Sequence, residues 1–404
     1  MALLPVSEAK ARLLARARPV EATQDVSLAD ANSRVLAAPL AARLTQPPFD
    51  ASAMDGYALR AADAPQIGAE LSVIGTAAAG HLFDGSVDTG QAVRIFTGAP
   101  VPEGADTILI QEDAEPLDGQ RIRTKFAVTV GRHIRPRGQD FTEGETVLPQ
   151  ATRLDYTHLT VAAAMNHPRL TVYRKPLVAI LATGDELLVP GSIPAAGQII
   201  ASNSFGVRAL VEDNGAEVLD LGIVRDDRES ISAAVDIARS ANADVLVTLG
   251  GASVGDHDLV QSTLKAAGME LDFWRIAMRP GKPLMVGSLG EMQVLGLPGN
   301  PVASLVCSLL FLEPLVRTLA RLPQRRREAQ AFAARELASN DQRQDYLRAT
   351  LTPDEGGDRI ADPYRKQDSS MMKVFATSDA LIVRPPHAPA LAAGAPCPIL
   401  LLRP

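Results

Sequence analysis

The sequence predicts a multidomain protein of α/β plus β class. A central doubly wound α/β domain follows N-terminal helical and β-rich domains, and a small C-terminal β-barrel closes the chain. Three observations carry this. Between Pro176 and Leu322, strand-length apolar runs alternate with helix-length stretches. Between Leu40 and Pro149, short β-type runs are punctuated by Gly, Pro and Asp. After Pro323 the chain turns β-rich again. At 404 residues the chain exceeds what one core serves. The expected division is 1–40 with 150–175 as a helical linker domain, 41–149 as the β-rich domain, 176–322 as the α/β domain, and 323–404 as the C-terminal β domain.

Ser7 to Ala17 reads as a helix capped by Ser7, with Ala9, Leu13 and Leu14 on its apolar face. A second helical stretch covers Leu28 to Ala37. The runs 71–74, 92–96, 107–110 and 121–123 read as strands, and Arg153 to Asn166 as a helix stopped by Pro168. In the central region the expected strands are 177–182, 217–223, 244–249 and 294–297. Helices are expected between them near 203–213, 228–241 and 259–267, and a long apolar helix from Pro301 to Leu319. That alternation implies parallel strands, right-handed crossovers and ligands beyond the strands' C-terminal ends. In the last segment 346–351 and 380–383 read as strands.

Composition excludes several function classes. Aromatics are only 4%, so the cores must rest on Ala, Val, Leu and Ile. The formal net charge is −7 and no long basic run appears, so nucleic acid is not an expected partner. Arg325 to Arg327, the densest basic run, reads as a solvated linker. An anionic ligand would need a local basic pocket. Cys307 and Cys397 lie far apart and lack zinc-site spacing, which makes a reducing cytoplasm the expected location. No apolar stretch has the length of a signal or a membrane span, so no membrane is expected.

Three strand-end loops carry suggestive chemistry: Thr183-Gly184-Asp185-Glu186, Gly250 to Asp258, and Leu297-Pro298-Gly299-Asn300-Pro301. Each glycine pair alone serves an ordinary turn, but three such loops on one sheet rim favour a binding site. Glycines let backbone N–H groups of Gly250, Gly251, Gly255 and Gly299 approach an anion, and Ser253 adds a hydroxyl. The turn Met278 to Pro283 adds Arg279 and Lys282, which alone would be solvated surface charges but beside an anion nest become candidates for gripping an oxyanion. Glu186, Asp256 and Asp258 share the rim, and Mg²⁺ is the cation that would sit between such acids and phosphate oxygens. His257 reads as a solvent-facing loop residue. In the β-rich segment, Phe49 to Ala58, Phe96 to Pro102 and Arg135 to Asp140 each read as a turn first, with Asp55-Gly56 the usual hairpin signal.

Together these segments resemble the molybdopterin molybdenumtransferase family, MoeA in bacteria and the corresponding domain of gephyrin in animals. The runs PPFDASAMDGYA, FTGAPVPEGADTI, RPRGQD, ATGDEL, GGASVGDHD, MRPGKP and LPGNPVAS occur in the family's order across nearly the whole chain. The resemblance implies a central domain of molybdopterin-binding type and an enzyme that inserts molybdate into adenylylated molybdopterin and releases AMP, with Mg²⁺. It marks Asp55, Thr97, Glu186, Asp258 and Lys282 as catalytic, and Asp140, Thr183, Gly184, Asp185, Gly250, Gly251, Ser253, Gly255, Arg279, Pro298, Gly299, Asn300 and Ser370 as substrate-binding. Glu186, Asp256 and Asp258 are the implied metal ligands. Arg279 stands where many relatives have Lys, and Lys366 to Ser370 where relatives often carry a Gly-Ser pair, so Ser369 or Ser370 is the implied contact. The resemblance also implies a two-fold homodimer in which one subunit's β segment completes the other's α/β site, and a molybdopterin adenylyltransferase and molybdoenzymes as protein partners.

Two other readings differ in class. An adenylyltransferase or nucleotide pyrophosphatase would share only about Pro176 to Leu322, leaving the flanking β segments unexplained. A non-catalytic scaffold of the gephyrin kind would not need the acidic and basic loop residues.

Overall fold

A computed structural model of the chain describes residues 3–250, 259–273 and 275–403. It divides into two compact units, 25–172 and 1–24 with 173–404.

The first unit, 25–172, has a six-stranded sheet in the order Thr107–Ile110, Gly56–Leu59, Gln91–Ile95, Glu70–Ala77, Arg121–Thr124, Ala114–Leu117. Leu59, Leu71, Leu109 and Ile122 pack on one of its cores and Val93, Ile95 and Ile108 on another. The four strands expected here all form. Gly56 is not a hairpin residue: it opens a strand between Ile95 and Ile110. A Cβ there would stand 2.0 Å from the Leu109 carbonyl oxygen, so close strand approach demands glycine. A separate core gathers Leu36, Phe141, Leu154, Met165 and Val172 about the helix Tyr156–Ala164. Asp155 and His158 form a capping box at its start. The helix expected over 28–37 is reduced to one 3₁₀ turn, Leu28–Asp30. Ser27 accepts from the Asp30 N–H, and Ser33 at φ 63° turns the chain away.

The second unit begins with the helix Val6–Arg16, whose buried face is Val6, Ala9 and Leu13. Pro5, not Ser7, occupies its N-cap, since proline's fixed φ suits a helix start. The central sheet runs Glu217–Val224, Leu177–Thr183, Val245–Leu249, Met292–Leu297, Met285–Leu289, Glu270–Phe273. The first four strands are parallel, as expected for a doubly wound sheet. The last two are antiparallel and were not anticipated. Gly287 and Ser288 interrupt the 285–289 run, and pairing with 292–297 and 270–273 rather than periodicity makes these strands. Strand 177–183 leads out to one neighbour and then to the other, so the winding reverses there and opens a crevice at its C-terminal end.

The apolar helix Pro301–Leu319 is the pillar of this unit. Its mean hydropathy of 1.7 would suit a membrane span, but 78% of it is buried in the protein. Val302, Val306, Phe311, Leu315 and Val316 are fully buried beneath the sheet. A single π turn, Ser308–Leu312, interrupts it. C-terminal to it, five strands close into a barrel, with Gln344–Pro353 pairing both Arg359–Pro363 and Ala380–Arg384. The Arg325–Arg327 run is not simply solvated. Arg327 donates to Glu313 at 2.7 and 2.8 Å and to the carbonyls of Leu401 and Leu402. Glu313 is 3% exposed, so this pair ties the barrel to the pillar helix.

Candidate active site

At the crevice the strand-end loops lie side by side. Gly250 donates its N–H to the Leu297 carbonyl at 3.3 Å, and a Cβ on Gly250 would meet the Thr183 carbonyl oxygen at 3.0 Å. Gly250 has φ +91° and Gly184 φ +146°, a region open to glycine and strained for other residues. A Cβ on Gly184 would collide with the Glu186 carboxylate at 2.4 Å, so that carboxylate folds back over its own loop. Asn203 donates to the Gly299 carbonyl at 2.8 Å and fixes the third loop. Thus Thr183, Gly184, Asp185, Glu186, Gly250, Pro298, Gly299 and Asn300 share one rim. Gly251, Ser253, Gly255, Asp256, His257 and Asp258 lie outside the described residues.

The C-terminal segment reaches this rim as well. Asn300 donates to Ser369 Oγ at 2.9 Å, and the Val302 N–H donates to the Ser369 carbonyl. Ser369 therefore stands at the rim, while Ser370 turns its hydroxyl to Asp368 at 2.6 Å.

Acids crowd one end. The Asp226 N–H donates to Asp185 at 3.3 Å. Asp226 reaches solvent, but the loop strips part of its hydration, and Asp185, Glu186 and Asp227 surround it with negative charge. Its carboxyl is held above the ordinary value, desolvation being the larger cause. Sequence reading missed this residue because Arg225-Asp226-Asp227 looks like a helix start, which Asp227 indeed is, accepting from Ser230 at 2.8 Å. Among the described residues no three His, Cys, Asp or Glu side chains form a metal-binding group.

Cations gather on the turn after Met278. Gly281, at φ +123°, packs so that a Cβ would meet Met278 Cε at 2.6 Å and Cys307 Sγ at 2.7 Å. The turn is thus seated on the pillar helix, and Lys282 is exposed with no polar partner among the described residues. Arg279 is engaged: it donates to Asp345 through Nε at 2.8 Å and again through Nη2, with Asp341 at 3.6 Å. A further cation escaped sequence reading. Arg348 is fully buried, its Nε donates to Gln367 at 3.0 Å, and neither Nη atom has a partner. Gln367 is two residues from Ser369. An arginine inside a strand pattern gives no sign that its guanidinium is buried and unspent.

In the other unit, Asp55 Oδ1 accepts from both the backbone N–H and the hydroxyl of Thr97, each at 2.8 Å. Those two bonds, and then the Arg94 charge, hold the Asp55 carboxyl below its ordinary range. Arg94 stacks between Tyr57 and Phe96 at 5.0 and 4.9 Å. Strand pairing of Ile134 with Ser52, and the Arg137 N–H bond to Asp50 at 2.7 Å, bring the RPRGQD run beside this segment. Asp140 is exposed there.

Comparison with known proteins agrees along the whole length. The MoeA N-terminal region (domain I and II) family matches residues 4–166. The probable molybdopterin binding domain family matches 179–318, and the MoeA C-terminal region (domain IV) family matches 330–402. The molybdopterin molybdenumtransferase of Haemophilus influenzae is 33% identical over 94% of each chain. That of Bacillus subtilis is 32% identical over 99% of this chain and 94% of its own. The solved structure of a molybdopterin biosynthesis moeA protein from Pyrococcus horikosii superposes with a TM-score of 0.84 at 28% identity, covering both chains completely. The chain belongs to the molybdopterin molybdenumtransferase family, a family of transferases of molybdenum cofactor biosynthesis.

Proposed function

We propose that this chain inserts molybdate into adenylylated molybdopterin and releases AMP. The observation that carries the reading is a Lys282 without a polar partner among the described residues, on a turn seated against Met278 and Cys307, in the same unit as a glycine-lined rim whose loops contact one another and Ser369. The reaction needs positioning and charge rather than a nucleophile. Lys282 holds the molybdate oxyanion, because an unspent cation gains most from a charged acceptor. Backbone N–H groups of the rim, such as that of Gly299, are proposed to bind substrate oxygens. Ser369 and Asn300 orient the ligand, and Ser253, Gly251 and Gly255 are proposed to extend the nest. Asp55, Thr97 and Asp140 are proposed to complete the α/β site of the partner subunit in a two-fold homodimer, Asp55 by fixing the Thr97 turn. Arg279, bound to Asp345, positions the Lys282 turn.

Mg²⁺ fits the acids present. Desolvation, and then the charges of Asp185 and Glu186, hold the Asp226 carboxyl above its ordinary value, and a divalent cation would relieve such crowding. Glu186, with Asp256 and Asp258, is the proposed ligand set; one or two carboxylates and phosphate oxygens suffice for this ion. When bound, it would polarise the phosphoanhydride. Glu186→Gln and Asp226→Asn should each raise the Mg²⁺ concentration for half-maximal AMP release; unchanged half-saturation in both removes these acids from the metal site. We also propose a two-fold homodimer working in the cytoplasm, served by a molybdopterin adenylyltransferase and supplying molybdoenzymes, with dimer mass by light scattering as the first check. The test of the main reading is AMP release from adenylylated molybdopterin as molybdate is titrated. Release without dependence on molybdate, or adenylylation of molybdopterin by ATP, would favour the adenylyltransferase reading instead.

A further inference from the structure

The C-terminal barrel holds a cavity of about 350 Å³, near the lower end of the range for small-molecule sites. Four arginines line it, Arg279, Arg335, Arg365 and Arg384, against two acidic residues, Glu336 and Asp345. The acids do not balance the cations. Asp345 is taken by Arg279, and Glu336 is exposed. Arg335 pairs with Asp362 outside the lining. Arg384 faces Asp345 across the strand pair but donates only to the carbonyls of Ala338 and Pro389. Arg384 is 6% exposed, and its Nε is buried without any acceptor. Arg365 has no polar partner among the described residues.

A buried guanidinium N–H left without an acceptor is costly, and native proteins keep few such groups unless something binds there. Arginine forks match tetrahedral oxyanions in both charge and shape. We propose that this cavity is a second oxyanion site, taking a tetrahedral anion of the molybdate, sulfate or phosphate type. It deepens the molybdate reading and rests on it only for the anion's role. Two connections join it to the rim. Arg279 belongs both to this cavity and to the turn that carries Lys282, and Gln367, which also lines the cavity, holds Arg348. An oxyanion in the cavity competes with Asp345 for Arg279 and so bears on the Lys282 turn.

The test is equilibrium dialysis of the full chain against molybdate, with bound molybdenum measured directly. In Lys282→Ala one molybdate per chain should remain. Adding Arg365→Glu, an exposed change, should weaken that residual binding at least tenfold. Arg384→Leu should do the same, with its thermal unfolding checked in parallel. Displacement by excess sulfate or phosphate identifies a general oxyanion site; resistance to both identifies one tuned to molybdate. A Lys282→Ala chain that binds none, or residual binding that Arg365→Glu leaves unmoved, overturns the proposal. Arg365-dependent binding in a protein that never releases AMP would sustain the cavity and sink the activity reading.

Discussion

The two units handle their polar residues in opposite ways. In the β-rich unit Asp55 spends one carboxylate oxygen on both donors of Thr97, and Arg94 is enclosed by Tyr57, Phe96 and the Gly56 carbonyl. In the α/β and barrel unit, Lys282 has no partner among the described residues, Arg348 keeps two idle nitrogens, and Asp226 is crowded by its own kind. At its candidate site residues Asp55, Thr97 and Arg94 the first region is satisfied internally. The second leaves charges without partners among the described residues, which is what the proposed ligands would satisfy. Buried or constrained charges without partners persist only where something else repays them.

The largest effect expected from this contrast is at Lys282. Lys282→Ala should fold normally and lower AMP release at sub-saturating molybdate roughly ten- to a hundredfold, the worth of one charge-assisted contact. Unchanged release would place Lys282 with the merely solvated charges and break the comparison. Gly281→Ala tests whether the turn's seating matters. With φ +123° and Met278 and Cys307 in the way, it should cost about 1–3 kcal/mol of stability and displace Lys282. A variant as stable and active as wild type would show that the turn adapts freely.

The satisfied region should respond to shape rather than to charge. Thr97→Ser keeps both bonds to Asp55 and should retain activity, whereas Thr97→Val keeps only the backbone bond and should lose roughly three- to tenfold, the scale of one hydrogen bond. Equal losses in both would mean that the threonine methyl, not the bond, is what matters. The smallest effect concerns the capping box at Tyr156–Ala164. The Thr157 hydroxyl, then the His158 N–H, hold the Asp155 carboxyl down to about 2 from 3.8. Because the folded value lies below the unfolded one, the stabilisation is complete above about pH 4 and fades as pH falls through 2. The thermal-midpoint difference between wild type and Asp155→Ala should therefore shrink across that window; a difference that persists below it would assign the effect to packing.

Much of the fold was legible because period and punctuation are local. The helices at 203–213 and 228–240 and the parallel strands each carry their pattern within a dozen residues. The antiparallel strands at 270–273 and 285–289 were not legible: 285–289 turns straight back on 292–297 through Gly290 and Glu291, but Gly287 and Ser288 interrupt its run and mask a strand pattern. Asp55-Gly56 misled because a local hairpin signal was overruled by a carbonyl from residue 109. At the candidate site, glycines, Lys282 and Glu186 announce themselves as motifs. Arg348 and Asp226 do not, because burial and crowding are properties of the surroundings.

What the sequence alone determined, then, is the order of elements, the class of each domain and the residue types at the strand ends, all of which follow from short-range periodicity and turn chemistry. Which cations stay unspent was decided only in three dimensions. Arg279 and Lys282 stand three positions apart on one turn and look equivalent in sequence. Yet Arg279 is neutralised by Asp345 from the barrel, and Lys282 has no such partner among the described residues. Ion pairing is settled by distance and desolvation between segments that meet only on folding, and no local pattern encodes it.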